Sequence, residues 1–439
     1  MNMEGIVKRI LSLGADEVEI TRTTENIVAI PFKADEIGPI KLTKKTAYGI
    51  RVVYDKRVAY TYYIGSEDRL EEVAKKALET AKASSKFEDR PGLPDVKGSS
   101  EVSGLYHEDV VSVVEGDLSK AIEIVKRTVE LAKENEIELS RNDFSARVIE
   151  YEIVNSNGLS KEYSSTFVAL TIQGLYGRGS SREFEFSRSL KIDLEGLIER
   201  VARKAKDADK AELIGTFSGE AIFEPPASGE LIEVMFGNPI RGDQVIKGGS
   251  PLKDKVGSEI AAKEFTLLDD GIKPEGIRSA PFDDEGVPTE TTEVVVDGVL
   301  KGFIYDRYRG HKAGKRSTGN GFVAREGYPP TVTPSNLVVK PVKGTLEDMI
   351  SEIDKGLMVT NTIGARLSDP VGGIYNATVT LGYLIEKGEI KKPVKGVVVN
   401  IPFREALKEA RIGAEPVLPY MNAYAPPIVL PKATFAAKK

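Results

Sequence analysis

The sequence predicts an α+β protein: a two-part N-terminal α/β region of antiparallel sheets flanked by helices, followed by a strand-rich, barrel-like C-terminal domain. Three observations carry this. The order helix, strands, helix occurs twice before residue 212. A stretch rich in Ser, Pro, Gly and charge, 84–105, lies between the two copies as a linker. Beyond Ser218 the texture changes to many short strands broken by Gly, Pro and Asp, the pattern of a sheet closed on itself. The expected units are 1–95, 106–212 and 218–439.

In chain order, residues 3–13 put Ile6, Val7, Ile10 and Leu11 on one helical face, and Gly14 ends the run. From Glu17 the period drops to two, giving strands at 18–20, 27–30, 47–54 and 57–63, the last two joined by a tight turn at Asp55-Lys56. A helix follows from Ser66, with Leu70, Val73, Ala74, Ala77 and Leu78 at three-to-four spacing and Glu67 and Asp68 set against the positive end of its dipole. Asp117 is expected to cap the next helix, and strands follow at 146–154, 162–173 and 181–190, with a turn at Asn155–Gly158 between the first two. Asp193 opens a further helix through Leu197, Ile198 and Val201. The repeated order admits a duplication and equally the ordinary layout of an α+β domain.

The stretch 227–238 reads as a short helix, with Ser228 as N-cap, Leu231, Ile232, Met235 and Phe236 as one apolar stripe, and Gly237 as the stop; Pro225-Pro226 is expected to keep the approach extended. Strands are expected at 292–296, 300–305, 337–340, 356–362, 375–386 and 396–401, with hairpin turns at Asp297-Gly298 and Lys387-Gly388. Thr345 and Asp348 are spaced as a capping box, and 402–410 reads as the last helix. The Ala/Lys tail after Pro431 is expected to fray.

Of the 439 residues 41% are hydrophobic, the net charge is −6, and there is no Trp and no Cys. The modest acidic balance argues against direct nucleic-acid binding. The lack of Cys excludes disulfides and thiolate metal sites. No apolar run approaches the ~20 residues that span a bilayer, and the first residues lack the apolar core of a signal peptide; a cytoplasmic location without a membrane partner is expected. Gln occurs only at 173 and 244 among abundant Lys and Glu, a bias of heat-stable proteins.

A zinc hydrolase needs two imidazoles on one helix face, a third ligand and a carboxylate beside the bound water. The two histidines here, His107 and His311, lie far apart and off the 227–238 stretch. Glu230 and Glu233 alone would offer only hard-cation chemistry, and two carboxylates in a first helical turn are also explained by the helix dipole. Asp269-Asp270 and Asp283-Asp284-Glu285 admit a reading as paired catalytic carboxylates; the flanking Gly271 and Gly286 admit one as turns. The basic cluster Arg307, Arg309, His311, Lys312, Lys315 and Arg316 suits a carboxylate ligand or a solvated face. No phosphate-binding Gly-x-x-x-x-Gly-Lys loop and no Gly-x-Ser-x-Gly elbow occur.

Gly229-Glu230-Leu231-Ile232-Glu233-Val234, the run Asp283-Asp284-Glu285-Gly286, the loop Ser317-Thr318-Gly319-Asn320-Gly321 and the closing block 377–396 follow one another in an order and spacing that resembles the TldD/PmbA family, the modulators of DNA gyrase. In the TldD branch the first of these carries His-Glu-x-x-x-His. Laid on that pattern, Glu230 keeps the general-base position, Gly229 and Val234 replace the metal histidines, and the cysteine that serves as third ligand is missing. The chain is therefore similar to the PmbA/TldE branch. The resemblance implies no cofactor in this chain, with zinc in a TldD-like partner. It implies a dimer with a peptide-holding cavity, and a supporting subunit of a metalloprotease that cleaves unfolded peptides. It points to Asp284, Glu285, Arg316, Thr318, Gly319 and Asn320 as substrate-facing. The alternatives are a peptide-binding homodimer and a gyrase modulator without hydrolysis.

Overall fold

The alternating run that reads as two short strands is one long strand, Glu17–Lys33. In the computed structural model, which describes residues 2–34 and 36–437, this strand pairs antiparallel with Lys41–Tyr54 on one side and Asn142–Asn155 on the other. The sheet runs Arg57–Ile64, Lys41–Tyr54, Glu17–Lys33, Asn142–Asn155, Ser160–Tyr176 and Glu138–Leu139, and Gly179–Ser187 also pairs with Ser160–Tyr176. The segments on either side of the linker thus share one sheet and build two cores on it. Helices Met3–Ser12 and Leu70–Ala83 pack over Val18, Ile20, Ile50 and Val52. Helices Ser119–Glu134, Leu194–Lys210 and the unanticipated Glu108–Val114 pack over Val28, Ile30, Phe144 and Leu170. A strand repeats every two residues, so the odd-numbered Glu19, Thr21, Thr23 and Glu25 face the opposite side, where they meet residues of the C-terminal half.

Local chemistry explains the joints. Asp55 and Lys56 both take positive φ, 46° and 61°, the geometry whose twist matches a two-residue hairpin. Asp193 accepts from Gly196 N–H at 2.9 Å as an N-cap. Asp117 instead accepts from the Ser119 backbone and hydroxyl, at 3.2 and 2.6 Å, and its helix starts at Ser119. Residues 87–105 form neither helix nor strand, yet they run as a strap tied to both halves. The Asn155 and Asn157 amides donate to the Pro94 and Leu93 carbonyls, both at 2.8 Å, and Ser100 bonds Pro281 and Thr289.

The C-terminal half holds a closed five-stranded barrel. Lys355–Ile363, Phe217–Phe223, Ile428–Ala437, Val397–Pro402 and Ile374–Glu386 pair in turn, and the last closes on the first. Ala221, Phe223, Leu357, Val359, Val399 and Leu430 lie in the core this half shares. The tail expected to fray is therefore a barrel strand as far as Ala437: Phe435 is fully buried and stacks on Phe217 at 4.7 Å. Closure supplies both neighbours for its backbone, which outweighs the weak strand propensity of Ala and Lys; Lys438 and Lys439 lie outside the described residues. A second sheet, Val299–Leu300, Thr291–Val296, Leu267–Asp270, Leu337–Val339, Ala423–Ala425 and Leu418–Tyr420, lies beside the barrel. The Thr345 capping box forms as expected, with Asp348 answering the cap.

Candidate functional site

The Ala227–Phe236 helix joins barrel and second sheet. Leu231, Ile232, Met235 and Phe236 sit in the shared core, each buried side chain contributing about 1.5–3 kcal/mol. The helix begins one residue before Ser228. That serine is not the cap; it lies in the first turn, fully buried, and donates to the Ala425 carbonyl at 3.3 Å. Pro226, with φ −88° and ψ 3°, turns the chain instead of extending it. Packing against the second sheet is tight: a Cβ on Gly229 would lie 2.8 Å from Tyr420 Cβ and 3.0 Å from the Ala423 carbonyl oxygen.

The two carboxylates on this helix meet different partners. Glu230 accepts from the Thr362 hydroxyl and, at 3.2 Å, from the Tyr420 hydroxyl, and burial raises its pKa. Glu233 meets Arg366 at 3.3 Å. Val234 lines a cavity and offers no donor atom. These residues do not fit the zinc of the TldD branch. Position 229 has no space for an imidazole without moving backbone, and position 234 has no ligand atom. Among the described residues no three His, Cys, Asp or Glu side chains converge as a metal site requires.

The C-terminal half of the helix opens on a cavity of about 750 Å³ between the bare face of the N-terminal sheet and the C-terminal half. Ile149, Tyr163 and Ser165 come from the sheet, Glu233 and Val234 from the helix, Arg278 and Asp284 from loops of the second half, Phe322 from the short strand Gly321–Phe322, and Arg366 from the 3-10 turn Ala365–Leu367. Arg188 fastens this wall. It is 5% exposed and donates to the carbonyls of Thr166, Gly276, Ile277 and Ser279 at 2.7–3.2 Å. Arg278 lines the cavity, and its guanidinium donates to the Pro334 carbonyl at 3.3 Å.

The residues expected to face substrate separate into three places. Asp284 lines the cavity; it accepts from Val323 N–H at 2.6 Å, and burial pushes its carboxyl up to about 6. Glu285, Thr318, Gly319 and Asn320 form scaffold. Glu285 accepts from Arg307 N–H at 2.9 Å. Thr318 donates to Asn320 Oδ1 at 2.6 Å, and the Asn320 amide donates to Asp269 at 2.7 Å. Gly319, at φ 72°, leaves only 2.4 Å between a Cβ and the Pro288 carbonyl. Arg316 lies on an outer groove of about 580 Å³ and pairs with Glu290 at 2.7 Å.

The acidic runs are wired internally. Asp283 is fully buried and accepts from the N–H groups of Glu285, Val287 and Gly321 at 2.8–3.0 Å. Asp269 lies in a strand, not a turn. It accepts from Asn320 and Ser335 at 2.7 Å, and burial pushes it up to about 7. Sequence reasoning missed Arg188, Arg278 and Arg366; each stands singly, with no motif to separate it from a surface arginine.

Residues 116–208 match the PmbA/TldA metallopeptidase central domain, and residues 216–437 match the PmbA/TldA metallopeptidase C-terminal domain. The crystal structure of TldE from Thermococcus kodakarensis superposes with a TM-score of 0.89 at 28% identity, covering 99% of this chain and 100% of that one. A metalloprotease PmbA homolog of Haemophilus influenzae is 25% identical over 432 residues, 95% of this chain and 91% of that protein. An uncharacterized protein of Methanocaldococcus jannaschii is 25% identical over 412 residues, 93% and 94% of the two chains. With its central and C-terminal parts both matched and the fold shared over its length, this chain belongs to the PmbA/TldD metallopeptidase family.

Proposed function

We propose that this chain is the metal-free supporting subunit of a cytoplasmic two-subunit metallopeptidase of the TldD/TldE type. It walls one side of a chamber that holds an extended, unfolded peptide, and a TldD-like partner carrying His-Glu-x-x-x-His supplies zinc and the general base. The observation that carries this reading is Gly229: the helix that would bear the metal histidines is closed there by Tyr420 and Ala423, while the cavity of about 750 Å³ beside it stays open. Glu230, at the general-base position, is held by the Thr362 and Tyr420 hydroxyls, and Glu233 pairs with Arg366. The cavity mixes apolar side chains such as Ile149, Val234, Ile277 and Phe322 with polar and charged ones, four of them arginines, a lining that can meet both the side chains and the backbone carbonyls of an extended peptide.

Co-expression with a His-Glu-x-x-x-His partner tests it. The expected result is a stable heterodimer on sizing, with peptidase activity on unfolded chains that neither subunit shows alone. A lone chain that binds stoichiometric zinc and cleaves peptide would overturn the reading. A self-associated chain that binds peptide and ignores the partner would replace it with the peptide-binding homodimer or the gyrase modulator.

A further inference from the structure

The bare face of the N-terminal sheet carries a second cavity of about 250 Å³, walled by Glu19, Arg51, Tyr60, Tyr62, Tyr151 and, from the C-terminal half, Asp284. It is continuous with the larger cavity, because Ile149, Tyr163, Asp284 and Val323 line both. Glu19 is only 3% exposed. Its Oε1 lies 3.4 Å from Arg51 Nε, but Oε2 has no hydrogen-bond partner among the described residues. The Glu285 carboxylate approaches the same guanidinium at 3.7 Å. One arginine therefore answers two enclosed carboxyl groups where solvent screening is weak, and Asp284 lines the same pocket.

The other cations facing Glu19 are committed elsewhere: Arg90, from the strap, binds Glu17 at 2.6 Å, and Arg307 donates to the Gly92 carbonyl at 2.7 Å. Burial and the neighbouring Glu285 hold the Glu19 carboxyl at about 7 against the pull of Arg51, Arg307 and Arg90.

We propose that this pocket binds the cationic head of a lysine or arginine side chain on the peptide held in the larger cavity. The inference rests on the peptide-chamber reading and adds a side-chain preference to it. Glu19 Oε2 and Asp284 supply acceptors for an ammonium or guanidinium, and tyrosine hydroxyls and ring faces suit the same cation. The volume admits one long side chain. A neutral side chain leaves the buried oxygen unpaired, and an acidic one adds a further carboxylate beside Glu19 and Asp284.

Calorimetric titration of the lone chain with acetyl-Ala-Ala-Lys-Ala-Ala-amide, and with the same peptide carrying norleucine for lysine, decides it. The lysine peptide is expected to bind at least about tenfold more tightly, equivalent to about 1.4 kcal/mol. Its advantage is expected to grow from pH 5.5 to 8, because the bound cation favours ionised Glu19 and Asp284. Glu19→Gln is expected to abolish most of the difference. Asp284→Asn, which keeps the acceptor for Val323, serves the same purpose should Glu19→Gln unfold. Equal affinity of the two peptides for the folded wild-type chain, or no binding of either, overturns the proposal. Heterodimer formation is read separately by sizing, so failure of the pocket and failure of the supporting-subunit reading are distinguishable.

Discussion

At Gly229 the 227–236 helix lies so close to the second sheet that a Cβ would meet Tyr420 and the Ala423 carbonyl. Restoring the motif with Gly229→His and Val234→His places a side chain against Tyr420 and the Ala423 carbonyl. Overpacking of this kind costs about 1–3 kcal/mol. The double variant is expected to melt lower than the wild type and to bind no stoichiometric zinc by calorimetry; tight zinc binding at unchanged stability would show that the helix can move away from the second sheet. Glu230 is informative in the same way. It gives two hydroxyls their acceptor, so Glu230→Ala leaves Thr362 and Tyr420 without a partner and is expected to cost about 1–3 kcal/mol in denaturant unfolding. A neutral result would mean that water replaces the carboxylate freely at this position.

At the scale of elements, the helix, the strap and the loop held by Arg188 set the chamber walls. Arg188 binds the 276–279 loop to the sheet through carbonyls alone. Arg188→Leu leaves several buried carbonyls unpaired and is expected to destabilise the chain by about 2–4 kcal/mol. It is also expected to expose the 276–280 loop to limited proteolysis before global unfolding, and persistent protection of that loop would argue that Arg188 is not its fastener. The strap has the composition of a free linker, yet its backbone is bonded to Asn155 and Asn157. Asn155→Ala is accordingly expected to make residues 87–105 cleavable while leaving the helix content by circular dichroism unchanged.

The whole molecule carries buried acids whose proton affinities reveal themselves in its stability. Burial raises Glu19 and Asp269 to about 7, and Asp284 and Asp306 to about 6. A carboxyl whose folded pKa exceeds its unfolded value holds a proton in the folded chain that the unfolded chain releases. Its contribution is complete below the unfolded pKa, near 4, and is lost as pH rises through the folded one; each tenfold change in proton affinity is worth about 1.4 kcal/mol. The melting temperature is therefore expected to fall between pH 5.5 and 8, and Asp269→Asn is expected to flatten that slope. A melting temperature that rises over this range in calorimetry would contradict these assignments.

What the sequence determined by itself is local or patterned. Periodicity located the helices of ten or more residues and the alternating strands, turn residues fixed the Asp55-Lys56 hairpin and the Thr345 cap, and four ordered motifs carried the family. Gly229 and Val234 were legible as the residues that stand where the resemblance expects histidines. Tertiary structure alone decided the rest, because it depends on residues distant in sequence arriving at one place. The strand pairing that merges the two N-terminal units, the closure that makes a strand of an Ala/Lys tail, and the burial that turns Glu285 and Asn320 into scaffold are all of this kind. So is the pocket around Glu19: its acid, its arginine, its tyrosines and Asp284 come from different strands and a distant loop, and only their meeting leaves a buried oxygen without a donor.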